Sequence, residues 1–198
     1  MAQDIRICFV GDSFVLGPGD DTALGWAGRL CIAAHRQGNA ATFYNLGVRQ
    51  NTTQDILARW ETECGLRLPS SCDGRVVLSW GVNDTVVEHG VWRVPLEKSV
   101  ATLRHILKHS MKYTVLLVGP PPVEEEAHNE RILLLSQAYA HEAKALGIPY
   151  IELFSPVVAD ADYRREVSSH DGSHPGSDGY AKMAQLIAMS PQWWFPRL

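Results

Sequence analysis

Ile5-Arg6-Ile7-Cys8-Phe9-Val10-Gly11-Asp12-Ser13 is the stretch that decides the fold. Ile5–Val10 is short, apolar on both sides of the pleat, and stopped by glycine and two turn-forming polar residues. That is the signature of a strand buried on both faces. Four further runs read the same way: Thr42–Leu46, Val76–Ser79, Thr114–Val118 and Tyr150–Leu153. Between them lie helical periodicities. Trp26, Leu30 and Ala33 share one face, as do Ile56, Trp60 and Cys64. Leu96, Val100, Leu103 and Leu107 make a third stripe, and Ile132, Leu135, Tyr139, Ala143 and Leu146 a fourth. A last helix is expected over about 179–189. Thr52-x-x-Asp55 reads as a helix start, and Pro95 suits a first helical turn. Strands alternating with helices at this spacing predict a parallel sheet covered on both faces. The expected fold is a three-layer α/β/α sandwich around a mostly five-stranded parallel sheet, in one domain spanning 1–198.

Composition sets the outer bounds. The chain has 198 residues, 45% of them hydrophobic and 20% charged, which is ordinary for a globular protein. Eighteen basic residues against 22 acidic ones give a net charge of −4, so charge does not favour nucleic acid as a partner. No apolar stretch approaches the length needed to span a bilayer. The start, Met1-Ala2-Gln3-Asp4, leads into an apolar run too short for a signal-peptide core, so the expected location is cytoplasmic. The four cysteines, Cys8, Cys31, Cys64 and Cys72, form no CxxC and read as buried or free thiols. Cys64 with Cys72 is the one sequence-local pair that could bridge. The eight histidines show no metal-ligand spacing such as HExxH.

In parallel sheets, chemistry gathers beyond the carboxyl ends of the strands. Here those ends carry Gly11-Asp12-Ser13, Asn45-Leu46-Gly47 and Trp80-Gly81-Val82-Asn83-Asp84. The chain after the fifth strand reaches Asp171-Gly172-Ser173-His174-Pro175 just before the last helix. A hydroxyl, a carboxamide, a carboxylate and an imidazole are thus expected on one edge. Acyl transfer uses such a set. Serine is a poor nucleophile until a base takes its proton, and histidine is suited to that role. A carboxylate fixes the imidazole tautomer. Donors must await the oxygen that becomes negative; the backbone N–H groups of Ser13 and Gly47 and the Asn83 carboxamide are candidates.

These four blocks, in this order, resemble the SGNH (GDSL-type) serine hydrolases, a family with a flavodoxin-like fold. The likeness runs from residue 11 to about 180. It implies Ser13 as nucleophile, His174 as base, Asp171 as its partner, and Ser13, Gly47 and Asn83 as oxyanion hole. It also implies a small-molecule ester as substrate and no metal or organic cofactor. Family members often carry a second glycine shortly after the block-two glycine; here Val48-Arg49-Gln50-Asn51 stands instead.

Each block also has a structural reading. Ser13 could be a helix cap, Asn83-Asp84 a turn, and Asp171-x-x-His174 a loop before a helix. Asp12 and Asp84 read as loop architecture, and His170 as a solvated neighbour. Gly17-Pro18-Gly19-Asp20-Asp21 reads as a loop near the site, and Glu124-Glu125-Glu126 as an exposed helix approach. Trp26, Trp80 and Trp92 could line a pocket or fill the core. Trp193-Trp194-Phe195 could pack on the domain, form a homo-oligomer contact or touch a lipid surface. Two other functions use the same scaffold: acyl transfer to an alcohol, and a catalytically silent binding domain.

Overall fold

A computed structural model describes residues 4–195. Five parallel strands form the sheet: β1 (Ile5–Gly11), β2 (Ala41–Gly47), β3 (Asp73–Ser79), β6 (Thr114–Val118) and β7 (Tyr150–Ile151). Their spatial order is β2-β1-β3-β6-β7, so β1 lies inside the sheet and its end faces both neighbours. An antiparallel hairpin of β4 (Val87–Glu88) and β5 (Val91–Trp92) stands apart. The helices are α1 (Ser13–Leu16), α2 (Gly25–Arg36), α3 (Thr53–Arg67), α4 (Leu96–Ser110), α5 (Glu126–Ala145), α6 (Phe154–Val158), α7 (Ala161–Ser169) and α8 (Ser177–Met189).

The alternation of β1 explains the three layers. Ile7 and Phe9 point to one face, where they join Trp26 and Leu30 of α2 and Tyr180, Met183 and Ile187 of α8. Cys8 and Val10 point to the other face, against Ile56 and Trp60 of α3, Ile106 and Leu107 of α4 and Tyr139 of α5. Both faces of the strand are dry, which is why the run shows no polar alternation. The expected α/β/α architecture with its five-stranded parallel sheet is the observed one.

Several details differ from the sequence reading. Strand β3 begins at Asp73, three residues before its apolar run, because Asp73, Gly74 and Arg75 still pair with β1. Strand β7 stops at Ile151, and Leu153 already caps α6. The last helix starts at Ser177, ahead of Gly179. The β4–β5 hairpin and helices α6 and α7 were not anticipated. All four cysteines are free, and the buried Cys64 thiol lies against Cys8, not Cys72. Trp26 and Trp80 are core residues, whereas Trp92 is half-buried. Trp193 and Phe195 are buried against Phe9 and Phe43, so this stretch packs onto the sheet's own layer. Thr52 and Asp55 do form a capping box, with the Thr52 N–H donating to Asp55 Oδ2 at 2.8 Å.

One buried ion cluster ties the two ends of the chain together. The Asp20 carboxylate accepts from the Gly25 N–H at 2.8 Å and Ser177 Oγ at 2.7 Å, and pairs with Arg29. Arg29 also donates to the Ser177 carbonyl at 3.0 Å. Burial pushes the Asp20 carboxyl up, but Arg29, Ser177 and Thr22 outweigh it and hold the group far below the usual carboxylate range. Its stabilisation is therefore complete above about pH 4 and is lost as acid protonates the folded form. Asp20→Asn is expected to cost about 3–5 kcal/mol in urea unfolding, because Arg29 is left without its anion. The gap between mutant and native protein should hold from neutrality to about pH 4 and narrow below that.

Candidate active site

The carboxyl end of β1 is where backbones crowd. A Cβ on Gly11 would stand 2.0 Å from the Ser79 carbonyl oxygen, and one on Gly47 would stand 2.3 Å from the Leu16 nitrogen. Both positions must be glycine for β1 to turn into α1 between its neighbours. Asp12 caps that turn by accepting the Phe14 N–H at 2.9 Å. Ser13 follows as the first helical residue, 4% exposed, and its N–H has no acceptor within so short a helix.

Side chains from two other segments lock this elbow. Asn45 donates to the Val15 carbonyl at 2.8 Å. Arg59, on α3, donates to the Gly11 carbonyl at 2.8 Å, the Leu46 carbonyl at 3.0 Å and Asn51 Oδ1 at 2.7 Å. One guanidinium thus holds the ends of β1 and β2 and the following loop. The sequence reading missed Arg59, which has no mark in sequence beyond its place on a helix.

The late loop brings an imidazole to the serine. His174 Nε2 lies 2.7 Å from Ser13 Oγ, and His174 Nδ1 lies 2.8 Å from Asp171 Oδ2. Asp171 Oδ1 accepts the backbone N–H of His174 at 2.8 Å and of Ser173 at 3.0 Å. These partners assign the proton to Nδ1 and leave Nε2 to accept from the serine. Partial burial raises the Asp171 carboxyl, but the His174 N–H, its imidazole and the Ser173 N–H dominate and hold it at about 2. Phe14 lies against the imidazole, ring centres 4.8 Å apart. His174 is 8% exposed, while the Asp171 side chain is half-exposed. His170 is exposed and lies outside this chain of bonds.

Asn83 sits in the turn after β3 and donates through Nδ2 to the Asn51 carbonyl at 3.0 Å, which leaves its second amide hydrogen for another acceptor. Asp84, beneath it, accepts from the Thr53 N–H at 2.7 Å and from the hydroxyls of Thr53, Ser99 and Tyr139. His128 Nε2 meets Thr85 Oγ1 at 2.9 Å and braces the same turn. The Gly47 N–H, expected as an oxyanion donor, donates to Asn45 Oδ1 at 2.9 Å, and the bare Cα of this glycine also allows the close approach of Leu16. The loop that follows reverses at Gln50, which holds a left-handed φ of 63° without being glycine. Among the described residues, no group of three or more His, Cys, Asp or Glu side chains could hold a metal, and no helix is long and apolar enough to cross a membrane.

The sequence matches the GDSL-like Lipase/Acylhydrolase family over residues 9–182. The chain belongs to that family. It is accordingly a hydrolase that acts on esters. Among solved structures, it resembles the lipase/acylhydrolase from Enterococcus faecalis at 22% identity and a TM-score of 0.76, over 92% of this chain and 93% of that one. It also resembles a catalytic mutant of Axe2, an acetylxylan esterase from Geobacillus stearothermophilus, at 17% identity and a TM-score of 0.80, over 100% and 98% of the two chains. A third is a member of the lipolytic protein G-D-S-L family from Veillonella parvula, at 17% identity and a TM-score of 0.74, over 92% and 96%. At these identities the likeness establishes the shared fold. No curated protein matches the sequence.

The crowding at the elbow can be tested apart from any reaction. Gly47→Ala should lose about 1–3 kcal/mol or more in denaturant unfolding, since its methyl would meet backbone that cannot swing away. An unchanged midpoint would show that the β2 end and α1 have room to part.

Proposed function

We propose that the chain cleaves carboxylic esters through an acyl-enzyme on Ser13, with His174 as base, Asp171 as the carboxylate that orients it, and Asn83 as an oxyanion donor. The observation that carries this reading is the continuous line Ser13 Oγ–His174 Nε2, His174 Nδ1–Asp171 Oδ2, at 2.7 and 2.8 Å. As Oγ attacks the ester carbon, its proton passes to Nε2 and the carbonyl electron pair moves onto oxygen. Asp171, held as an anion, stabilises the imidazolium that results. The negative oxygen is met by the Ser13 N–H at the start of α1 and by the second hydrogen of Asn83 Nδ2. Collapse expels the alcohol, which takes the proton from Nε2–H. Water repeats the sequence on the acyl-serine and releases the acid.

The Asn83 amide is preset for this task. Its other hydrogen is bound to the Asn51 carbonyl, and the turn below it is fixed by Asp84 and His128. A donor already oriented costs no reorganisation when charge appears. Acetylated sugars and thioesters are substrates that the same chemistry would accept; the esterase of the acetylxylan type among the structural relatives makes acetylated xylooligosaccharides worth including.

Three measurements test the assignment. Ser13→Ala should lower ester turnover by several orders of magnitude without changing the unfolding midpoint, and a fluorophosphonate should label Ser13 and no other serine. Labelling of another serine would remove the nucleophile from this reading. Asn83→Ala should cost about 100- to 1,000-fold in kcat with little change in KM, whereas a change in KM alone would make Asn83 a substrate binder only. His174→Ala should abolish turnover, and in the native protein turnover should fall toward acid as the base takes up a proton. His170→Ala should alter neither. A panel of p-nitrophenyl esters, acyl thioesters and acetylated xylooligosaccharides, run beside Ser13→Ala, identifies the acyl group preferred.

A further inference from the structure

Two carboxyl groups, Asp12 beside the nucleophile and Asp84 in the Asn83 turn, are buried, at 1% and 0% exposure. They are provided for very differently. Asp84 receives the Thr53 N–H and the hydroxyls of Thr53, Ser99 and Tyr139. Asp12 receives the Phe14 N–H on Oδ1, while its Oδ2 is the one buried carboxylate oxygen among the described residues with no hydrogen-bond partner. An orphan oxygen in a dry site is costly on an anion and much less so on a neutral acid. Two like charges facing each other in such a site add to that cost, and one proton between them relieves it.

We propose that Asp12 is held as the neutral carboxylic acid while Asp84 carries the negative charge, and that this neutral form leaves the adjacent Ser13 N–H free to donate to the oxyanion. This inference rests on the ester-hydrolase reading of Ser13. Asp12 is a positioning residue: it touches no reacting atom, and acts by capping the turn at Phe14 and by keeping negative charge away from the neighbouring Ser13 N–H. Ionised, it would place an anion one residue before the nucleophile, beside the N–H groups that must receive another. Burial first, and then the Asp84 charge, push the Asp12 carboxyl up to about 7 against the Phe14 and Gly81 N–H groups. Desolvation also pushes Asp84 up, with Ser99, Thr53 and Tyr139 opposing it.

The other ionisable groups near Asp12 and Asp84 come from three helices and the late loop. Tyr180 on α8 is pushed up by burial first, which keeps it neutral with or without a charge on Asp12. Tyr139 on α5 is likewise kept neutral by burial and by Asp84. Arg59 on α3 is spent on the Gly11 and Leu46 carbonyls, Asn51 and Glu63. His174 reaches Ser13 from the late loop. None of them donates a hydrogen bond to Oδ2.

The test uses Asp12→Asn, which keeps an oxygen for the Phe14 N–H and cannot ionise. In the native protein kcat/KM for a p-nitrophenyl ester should fall above neutrality. In Asp12→Asn that alkaline fall should vanish, so the ratio of rates at pH 9 and pH 7 should rise about fivefold or more over the native ratio. A purely structural cap would lower the rate at every pH and leave the shape of the profile unchanged. In parallel, 13C-carboxyl NMR of aspartate-labelled native protein should show one aspartate titrating near neutrality, and that resonance should be missing from Asp12→Asn. An alkaline fall that survives in the variant, or aspartates that all titrate in the ordinary acid range, would overturn the proposal. The native NMR titration decides it even if the variant does not fold. Absence of ester turnover at any pH would instead strike the parent reading, with the titration still reporting the state of Asp12.

Discussion

Close backbone contact at the end of β1 is the constraint on which the rest depends. Gly11 fits under the Ser79 carbonyl, and Gly47 fits against Leu16, with no room for a methyl at either place. This draws the ends of β2 and β3 up to the β1–α1 turn on both sides. The strand ends therefore deliver Ser13, the loop after Gly47 and the Asn83 turn to one small patch. Because β1 is an interior strand, the serine on its end has a neighbour on each side. An edge strand could not collect groups in this way.

Around that patch, polar side chains do the work that apolar packing does within the layers. Arg59 and Asn45 hold the β2 side, Asp84 and His128 hold the β3 side, and Asp20 with Arg29 holds the start of α8 behind His174. All but the exposed Asn45 are buried or half-buried, and each is multiply bonded, so each fixes direction as well as distance. His174 and Asp171 are supplied by a single short loop, in which Asp171 binds both the ring and the backbone of His174. That loop needs to be correctly placed as a unit, and the Ser177 contacts of Asp20 and Arg29 supply the placement.

Much of this was legible in the chain. The runs at Ile5–Val10 and Thr114–Val118 are apolar on both faces and short, and a doubly covered parallel strand is the one setting that explains them. Ser13, Asn83, Asp171 and His174 stood out only together, as four blocks in one order at strand exits and before the last helix, since each alone reads as a cap, a turn or a loop. The parts that stayed hidden depend on contacts far apart in sequence. Nothing near Arg59 announces that its guanidinium meets carbonyls 13 and 48 residues away. The bond from the Gly47 N–H to Asn45 Oδ1, two residues earlier, has no mark in the sequence either. The β4–β5 hairpin is only two residues per strand, too short to show a period.

The aromatic anchor at Trp193–Phe195 has a practical consequence. Trp194 lies with Met111, Tyr113, Thr114 and Pro149 along the edge of the sheet where β6 begins, opposite the edge that carries Ser13. Strand β1 runs between those edges over seven residues, about 20 Å at the rise of an extended chain. Met111 is 57% exposed there. A covalent tether at that position would orient every molecule on a solid support the same way, with the esterolytic mouth turned outward to the flowing phase.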